Sequence, residues 1–188
     1  MAKEKNYDII VVGAGPAGIF AAGKAAEKGA SVLLLEKNSA PGKKLLITGK
    51  GRCNITTSDK NHNEIIEKFG KKGKYLFSAL SKFNNMDIIE FFEKLGLTTV
   101  EERGNRIFPK SGKASQVVDS LLNYLKKSNV EILTGVKALE FNIENNLIKS
   151  IKINNEIVYA NVFIICTGGL SYPSTGSTGD GYKWAREW

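Results

Sequence analysis

Three glycines at a fixed spacing, Gly13-x-Gly15-x-x-Gly18, are followed 18 positions later by an acid, Glu36. This set can grip a ligand that carries both phosphate and ribose. Gly13 permits a sharp turn, Gly15 lets backbone close on a pyrophosphate, and Gly18 lets a helix lie against the preceding strand. A helix opening at Pro16 turns its unpaired N–H groups and the positive end of its dipole toward the phosphates. Glu36 can accept hydrogen bonds from ribose hydroxyls.

The spacing alone is a common glycine-rich turn. The elements around it make it a dinucleotide fingerprint. Tyr7 to Val12 read as a buried strand, and the helix runs from about Pro16 to Lys28. Ala17, Ala21, Ala22, Ala25 and Ala26 keep that helix slim enough to pack on a sheet, and Gly29 stops it. Ser31 to Leu35 form a second apolar strand that ends at Glu36.

The chain has 188 residues, 42% hydrophobic and 24% charged, which is globular composition with room for a sizeable core. Its 19 glycines concentrate at 13–18, 42–51 and 168–181, three loops that must approach something closely. The net charge is +8, with lysines interspersed among acids rather than gathered with aromatics. That reads as a soluble surface, so nucleic acid is not the expected partner. Cys53 and Cys166 stand far apart with no CxxC, so neither a zinc cluster nor a redox disulfide is indicated, and free thiols fit a reducing cytoplasm. Residues 8–22 sit behind two lysines, Lys3 and Lys5, like a signal peptide, yet the glycines and Pro16 interrupt the run. No stretch has the length and apolarity of a membrane span.

Residues 37–58 hold Gly42, Gly49 and Gly51 among Lys43, Lys44, Lys50 and Arg52, without clear periodicity. A helical excursion follows over 59–85, with Ile65, Ile66, Phe69, Tyr75, Leu76, Leu80 and Phe83 as core candidates. His62, the only histidine, sits in a polar stretch and reads as solvated. Helices are expected at 86–95 and 114–127, with a strand at 97–102 and a short extended piece at 103–109. Residues 130–133 read as a third parallel strand, and 136–160 alternate with period two between Asn145-Asn146 and Asn154-Asn155. That pattern is a three-stranded antiparallel meander. Val162 to Cys166 form another buried strand, a glycine-rich loop covers 167–181, and a last helix begins there and reaches Trp188 without a stop signal. Such an ending is expected of the N-terminal part of a longer protein.

GAGPAG at 13–18, GKKLLITGKGRCN at 42–54, RIFPKSGKAS at 106–115 and CTGGLSYPSTGSTGDGY at 166–182 resemble the bacterial HI0933-like NAD(P)/FAD-dependent flavoproteins, over nearly the whole chain. More distantly the chain looks like the FAD domains of fumarate reductase and glutathione reductase. The resemblance implies an α/β Rossmann-like FAD-binding domain, a parallel sheet with the meander as crossover. It implies one such domain over 1–188, with a helical excursion at about 59–127, and an inserted substrate domain and a final FAD segment lying outside this chain. It implies FAD as cofactor, NAD(P)H as co-substrate, a small organic substrate and no membrane partner, and leaves oligomeric state open.

By the same resemblance Gly13, Gly15, Pro16, Ala17 and Gly18 hold the pyrophosphate, and Glu36 with Lys37 beside it meets the adenosine ribose. Lys44, Leu45, Gly51, Arg52, Cys53 and Asn54 line the flavin side, and Val136 meets the adenine through its backbone. Thr167, Gly168 and Gly169 pass the cofactor, with Ser171, Tyr172, Gly179 and Asp180 nearby. Cys166 stands where such loops often have Ala, a small residue expected only to pack.

No residue is assigned to catalysis. Cys53 has no histidine near it in sequence, and a guanidinium such as Arg52 does not deprotonate. Asp180 is equally suited to a ligand hydroxyl or to the N-cap of the last helix. A flavin carries its own chemistry, so the lack of an acid–base constellation does not argue against an enzyme. Two other readings stand beside the oxidoreductase: a flavin-dependent tRNA-modifying protein, suggested by the +8 charge, and a cofactor-binding piece without turnover.

Overall fold

The computed structural model describes residues 6–188. Strands and α-helices follow in the order β1 (Asn6–Val12), α1 (Pro16–Ala26), β2 (Val32–Glu36), β3 (Thr56–Thr57), α2 (His62–Glu67), α3 (Phe77–Lys82), α4 (Asn85–Lys94), β4 (Thr99–Glu102), β5 (Arg106–Pro109), α5 (Ala114–Lys127), β6 (Glu131–Thr134), β7 (Ala138–Glu144), β8 (Leu147–Ile153), β9 (Glu156–Ile165) and α6 (Asp180–Glu187). They fall into two compact units. One comprises the residues up to Leu45 together with Leu121–Trp188; the other is Leu46–Ser120, so the division falls inside α5.

The first unit is built on a six-stranded sheet in the order β6-β2-β1-β9-β8-β7. β6, β2, β1 and β9 run parallel, with Ile10 opposite Leu33 on one side and Phe163 on the other. Parallel strands buried on both faces need continuous apolar runs, which IIVV of β1 and VLLL of β2 supply. One face carries the cluster Ile10, Val12, Leu33, Leu35, Ile151 and Val158, all buried. Val11 and Leu34 alternate to the other face and are fully buried, and α1 packs across β1 and β2 through Ile19 and Ala22.

The meander departs from expectation. The two strands anticipated at 156–160 and 162–166 are one ten-residue strand, β9. Its first half pairs antiparallel with β8 and its second half parallel with β1. Nothing breaks the chain at Ala160-Asn161, so one strand serves both ladders and the meander continues the main sheet. The β7–β8 turn places Asn145 and Asn146 at φ 52° and 60°, the primed geometry that matches strand twist.

In the second unit β5 lies between β3 and β4 in a small antiparallel sheet. α4 opens with a capping box between Asn84 and Asp87, and Asn85 Nδ2 ties it to the carbonyls of Thr57 and Asp59. The excursion's core is smaller than its sequence suggests. Ile65 is buried, but Phe69 and Tyr75 are 60% and 75% exposed, which corrects their reading as core. Residues 70–76 form a tight 3-10 turn instead of a continuing helix, so the 3.6-residue periodicity that would carry both rings inward is lost. Among the described residues, no helix is long and apolar enough to cross a membrane.

Candidate functional site

A cavity of about 460 Å³ opens in the first unit at the C-terminal ends of β1, β2 and β9. That is the end at which open parallel sheets bind ligands, and the volume is in the usual range for a ligand site. Gly15, Pro16 and Ala17 line it, so it faces the N-terminus of α1. That helix has no side-chain cap and no acid in its first turn, leaving its N-terminal end to attract an anion.

The glycine turn is built by close approach. Gly13 has φ +104°, and a Cβ there would lie 2.5 Å from the Cys166 carbonyl oxygen. A Cβ on Gly18 would lie 1.8 Å from the Gly13 oxygen and 3.2 Å from Cys166 Cβ. Gly18 is therefore buried behind the cavity, not on its wall. Over Gly15 the position a Cβ would take has nothing within 4 Å.

Glu36 is 7% exposed and lines the cavity. One carboxylate oxygen accepts from the Ala14 N–H at 2.9 Å, the other from Asn38 N–H at 2.8 Å and Asn38 Nδ2 at 2.7 Å. Three of roughly four lone-pair sites are occupied, which leaves one for a ligand hydroxyl. Asn38 also donates to the Thr175 carbonyl at 3.2 Å, tying β2 to the glycine-rich loop.

A family model described as the HI0933-like protein Rossmann domain matches residues 7–188. The chain belongs to the HI0933-like family. It is 31% identical over 186 residues to the ribosomal RNA dihydrouridine synthase of Escherichia coli K12, covering 97% of this chain and 44% of that protein. It is 35% identical over 183 residues to the 3-dehydro-bile acid delta(4,6)-reductase of Clostridium scindens, covering 94% of this chain and 42% of that protein. The chain thus spans less than half the length of these relatives. In fold it is similar to the open form of a flavocytochrome c3 fumarate reductase, with TM-score 0.76 and 21% identity over 99% of this chain and 41% of that one.

The cavity of this HI0933-like domain gathers Gly13, Gly15, Pro16, Ala17, Glu36, Lys37, Lys44, Val136, Thr167, Gly168 and Asp180 from the sequence expectation. Leu45, Gly169, Ser171, Tyr172 and Gly179 do not line it. Lys44 reaches out to the Ser171 carbonyl at 2.7 Å, and the Val136 N–H donates to the Glu36 carbonyl at 3.0 Å. Gly51, Arg52, Cys53 and Asn54 belong to the second unit. There the Arg52 guanidinium pairs with Glu102 at 2.5 Å and lies 4.1 Å over the Phe108 ring. Cys53 is buried at φ 59°, and burial pushes its thiol up, against a smaller opposite effect of Thr48. A raised thiol stays protonated and is a poor nucleophile. Asn54, with its amide turned to suit its neighbours, donates to the carbonyls of Thr56 and Ile107.

Sequence reasoning missed Asn38, Lys43, Lys137 and Trp184 on the cavity wall. Trp184 had a signal: it follows Asp180 by four positions, which puts both on one face of α6. Cys166 lines the cavity as well as packing on Gly18, and burial raises its thiol.

Asp180 is not the N-cap of α6; Gly179 is, at φ 83°, a left-handed conformation that suits glycine. Asp180 is the first helical residue, and its carboxylate pairs with Lys37 Nζ at 2.7 Å while Thr178 shares the same ammonium at 2.6 Å. Burial works to raise the Asp180 carboxyl, but Lys37 with Thr178 outweighs it and holds it below the ordinary carboxylate range. A lowered carboxyl stabilises the fold above its ordinary range, and that contribution disappears as pH falls through the lowered value. Wild type should therefore lose more melting temperature than Asp180→Asn as pH is lowered through and below the ordinary carboxylate range. The same loss of melting temperature in the two proteins over that window would refute a stabilising Lys37–Asp180 pair.

Proposed function

We propose that this chain is the FAD-binding domain of an oxidoreductase whose flavin, reduced by NAD(P)H, passes hydrogen to a carbon–carbon double bond next to a carbonyl group. One observation carries the cofactor: an uncapped helix N-terminus, open space over Gly15 and the buried Glu36 carboxylate meet around one cavity. The residues present fit a dinucleotide. The α1 N-terminus with Gly13 and Gly15 would take the pyrophosphate, and the remaining lone pair of Glu36 a ribose hydroxyl. Lys37 is held by Asp180 and so positions the glycine-rich loop. Bound FAD would supply hydride transfer, while these residues bind and orient it.

The reaction class is supported by what the relatives are named for. Dihydrouridine formation and bile acid delta(4,6) reduction both saturate a carbon–carbon double bond conjugated to a carbonyl. A second reading, in which that double bond belongs to a nucleobase in RNA, is favoured by an exposed lysine–aromatic segment in the second unit. It is akin to the tRNA-modifying alternative that the sequence offers, and the relative that hints at it is named for ribosomal RNA.

The test is to purify the full-length protein, record its visible spectrum, and identify the released cofactor by mass. Bound FAD bleached anaerobically by NADH or NADPH is expected. A colourless protein that takes up no FAD would overturn the reading.

A further inference from the structure

We propose that the segment around residues 68–77 of the second unit is a docking surface for single-stranded RNA. This rests on the second reading above and adds to it a place on the molecule. Residues 60–82 carry six lysines against two glutamates, which is half of the chain's net +8. Within that stretch Phe69, Tyr75 and Phe77 are 60%, 75% and 59% exposed. Three large rings uncovered within nine residues are unlike apolar side chains scattered singly over a surface.

The lysines here are available. Lys68 is ion-paired with Asp59, but among the described residues Lys71, Lys72 and Lys74 have no carboxylate within ion-pair distance. Lys74 Nζ lies 5.3 Å from the centre of the Tyr75 ring, so charge and ring are presented together. Lys74 and Phe77 also border a shallow groove of about 550 Å³ with Ile66, Asn63 and Glu67. The presenting turn is not loose. Gly73 is buried, and a Cβ on it would lie 2.0 Å from the Ile66 carbonyl oxygen, so the turn is pressed against the end of α2.

Unpaired ammonium groups interleaved with exposed rings are the elements of a single-strand site. The lysines take the phosphates and the rings stack on bases, which a single strand leaves accessible. A small neutral substrate gives the lysines nothing to pair with. A double helix offers no unstacked bases to the rings.

The experiment uses the full-length protein and a fluorescein-labelled, uridine-rich single-stranded oligoribonucleotide, read by anisotropy at several salt concentrations. Wild type is expected to bind, more weakly as salt rises. Combining K71Q, K72Q and K74Q should flatten the slope of log K against log salt by about 2, since each phosphate contact on a single strand contributes about 0.7. Tyr75→Ala should weaken binding about tenfold at all salt concentrations, the effect of losing one stacked base. Flavin uptake should be unchanged in both variants, which shows that they fold. Binding that ignores all four substitutions overturns the surface but not the RNA reading. No RNA binding by wild type at low salt overturns both, as does binding to anionic phosphatidylglycerol vesicles in place of RNA. A colourless protein that still binds RNA through these residues leaves the surface standing and removes the cofactor.

Discussion

Gly18→Ala is expected to destabilise the domain by about 3 kcal/mol or more, the upper end of overpacking effects. Gly15→Ala, three residues earlier, is expected to leave stability within about 1 kcal/mol. The difference lies in what a methyl group meets. At Gly18 it would sit 1.8 Å from the Gly13 carbonyl oxygen, and backbone cannot give way as a flexible side chain can. Relief requires α1 to lift from β1, which also opens the contact with Cys166. At Gly15 the backbone is at φ −79°, open to any residue, and the methyl would meet nothing. That empty space is where the phosphates of a dinucleotide are proposed to lie. Gly15→Ala should therefore melt near wild type yet lose at least tenfold in FAD affinity, while Gly18→Ala should melt roughly 6–12 °C lower. Thermal melts and flavin titrations on the two variants decide it. Wild-type FAD affinity in Gly15→Ala would place the phosphates elsewhere.

That pair of glycines shows what was legible in the sequence. The β1–α1–β2 unit depends on local patterning: two apolar runs, small residues on one helix face, and glycines where backbone must approach backbone. These requirements act over about thirty residues and leave their mark in order. The same holds for α5, whose apolar positions repeat at helical spacing and whose ends fall at 114 and 127 as read. β6 also pairs in parallel with β2 as expected.

The remainder depended on partners distant in the chain. Whether Ala160-Asn161 ends a strand is decided by β1 and β8, which pair with the two halves of β9. Asp180 satisfied the rule for an N-cap, but Lys37, 143 positions away, claims its carboxylate. Phe69 and Tyr75 fitted a helical core pattern until Gly70 and Gly73 tightened the chain into a 3-10 turn. Of the site, the α1 side and the two β-strand ends were readable because the motif is contiguous. Asn38 was not, because its role comes from Glu36 on one side and Thr175 on the other.

The bracing of the turn by Glu36 and its proposed hold on a ribose can be separated by substitution. Its carboxylate is buried and accepts from Ala14 N–H, Asn38 N–H and Asn38 Nδ2. Glu36→Ala removes the acceptor from all three donors. At about 1–3 kcal/mol for each donor left buried and unpaired, with partial relief by water, the expected loss is roughly 3–5 kcal/mol. Cofactor affinity should fall with it. Glu36→Gln keeps the shape and one oxygen. That oxygen can still serve Asn38, but the new amide N–H groups then face the Ala14 N–H, a loss of about 1–3 kcal/mol. The amide can donate to a ribose oxygen but no longer offers a charged acceptor to its hydroxyls. Glu36→Gln should therefore melt between wild type and Glu36→Ala, and its FAD affinity should fall further than its loss of stability alone would explain. The readout is the melting temperature with and without saturating FAD. If the carboxylate only braces the turn, FAD raises the melting temperature of wild type and Glu36→Gln by the same amount. If it also holds the ribose, the increment in Glu36→Gln is smaller, and equal increments would remove Glu36 from the ligand site.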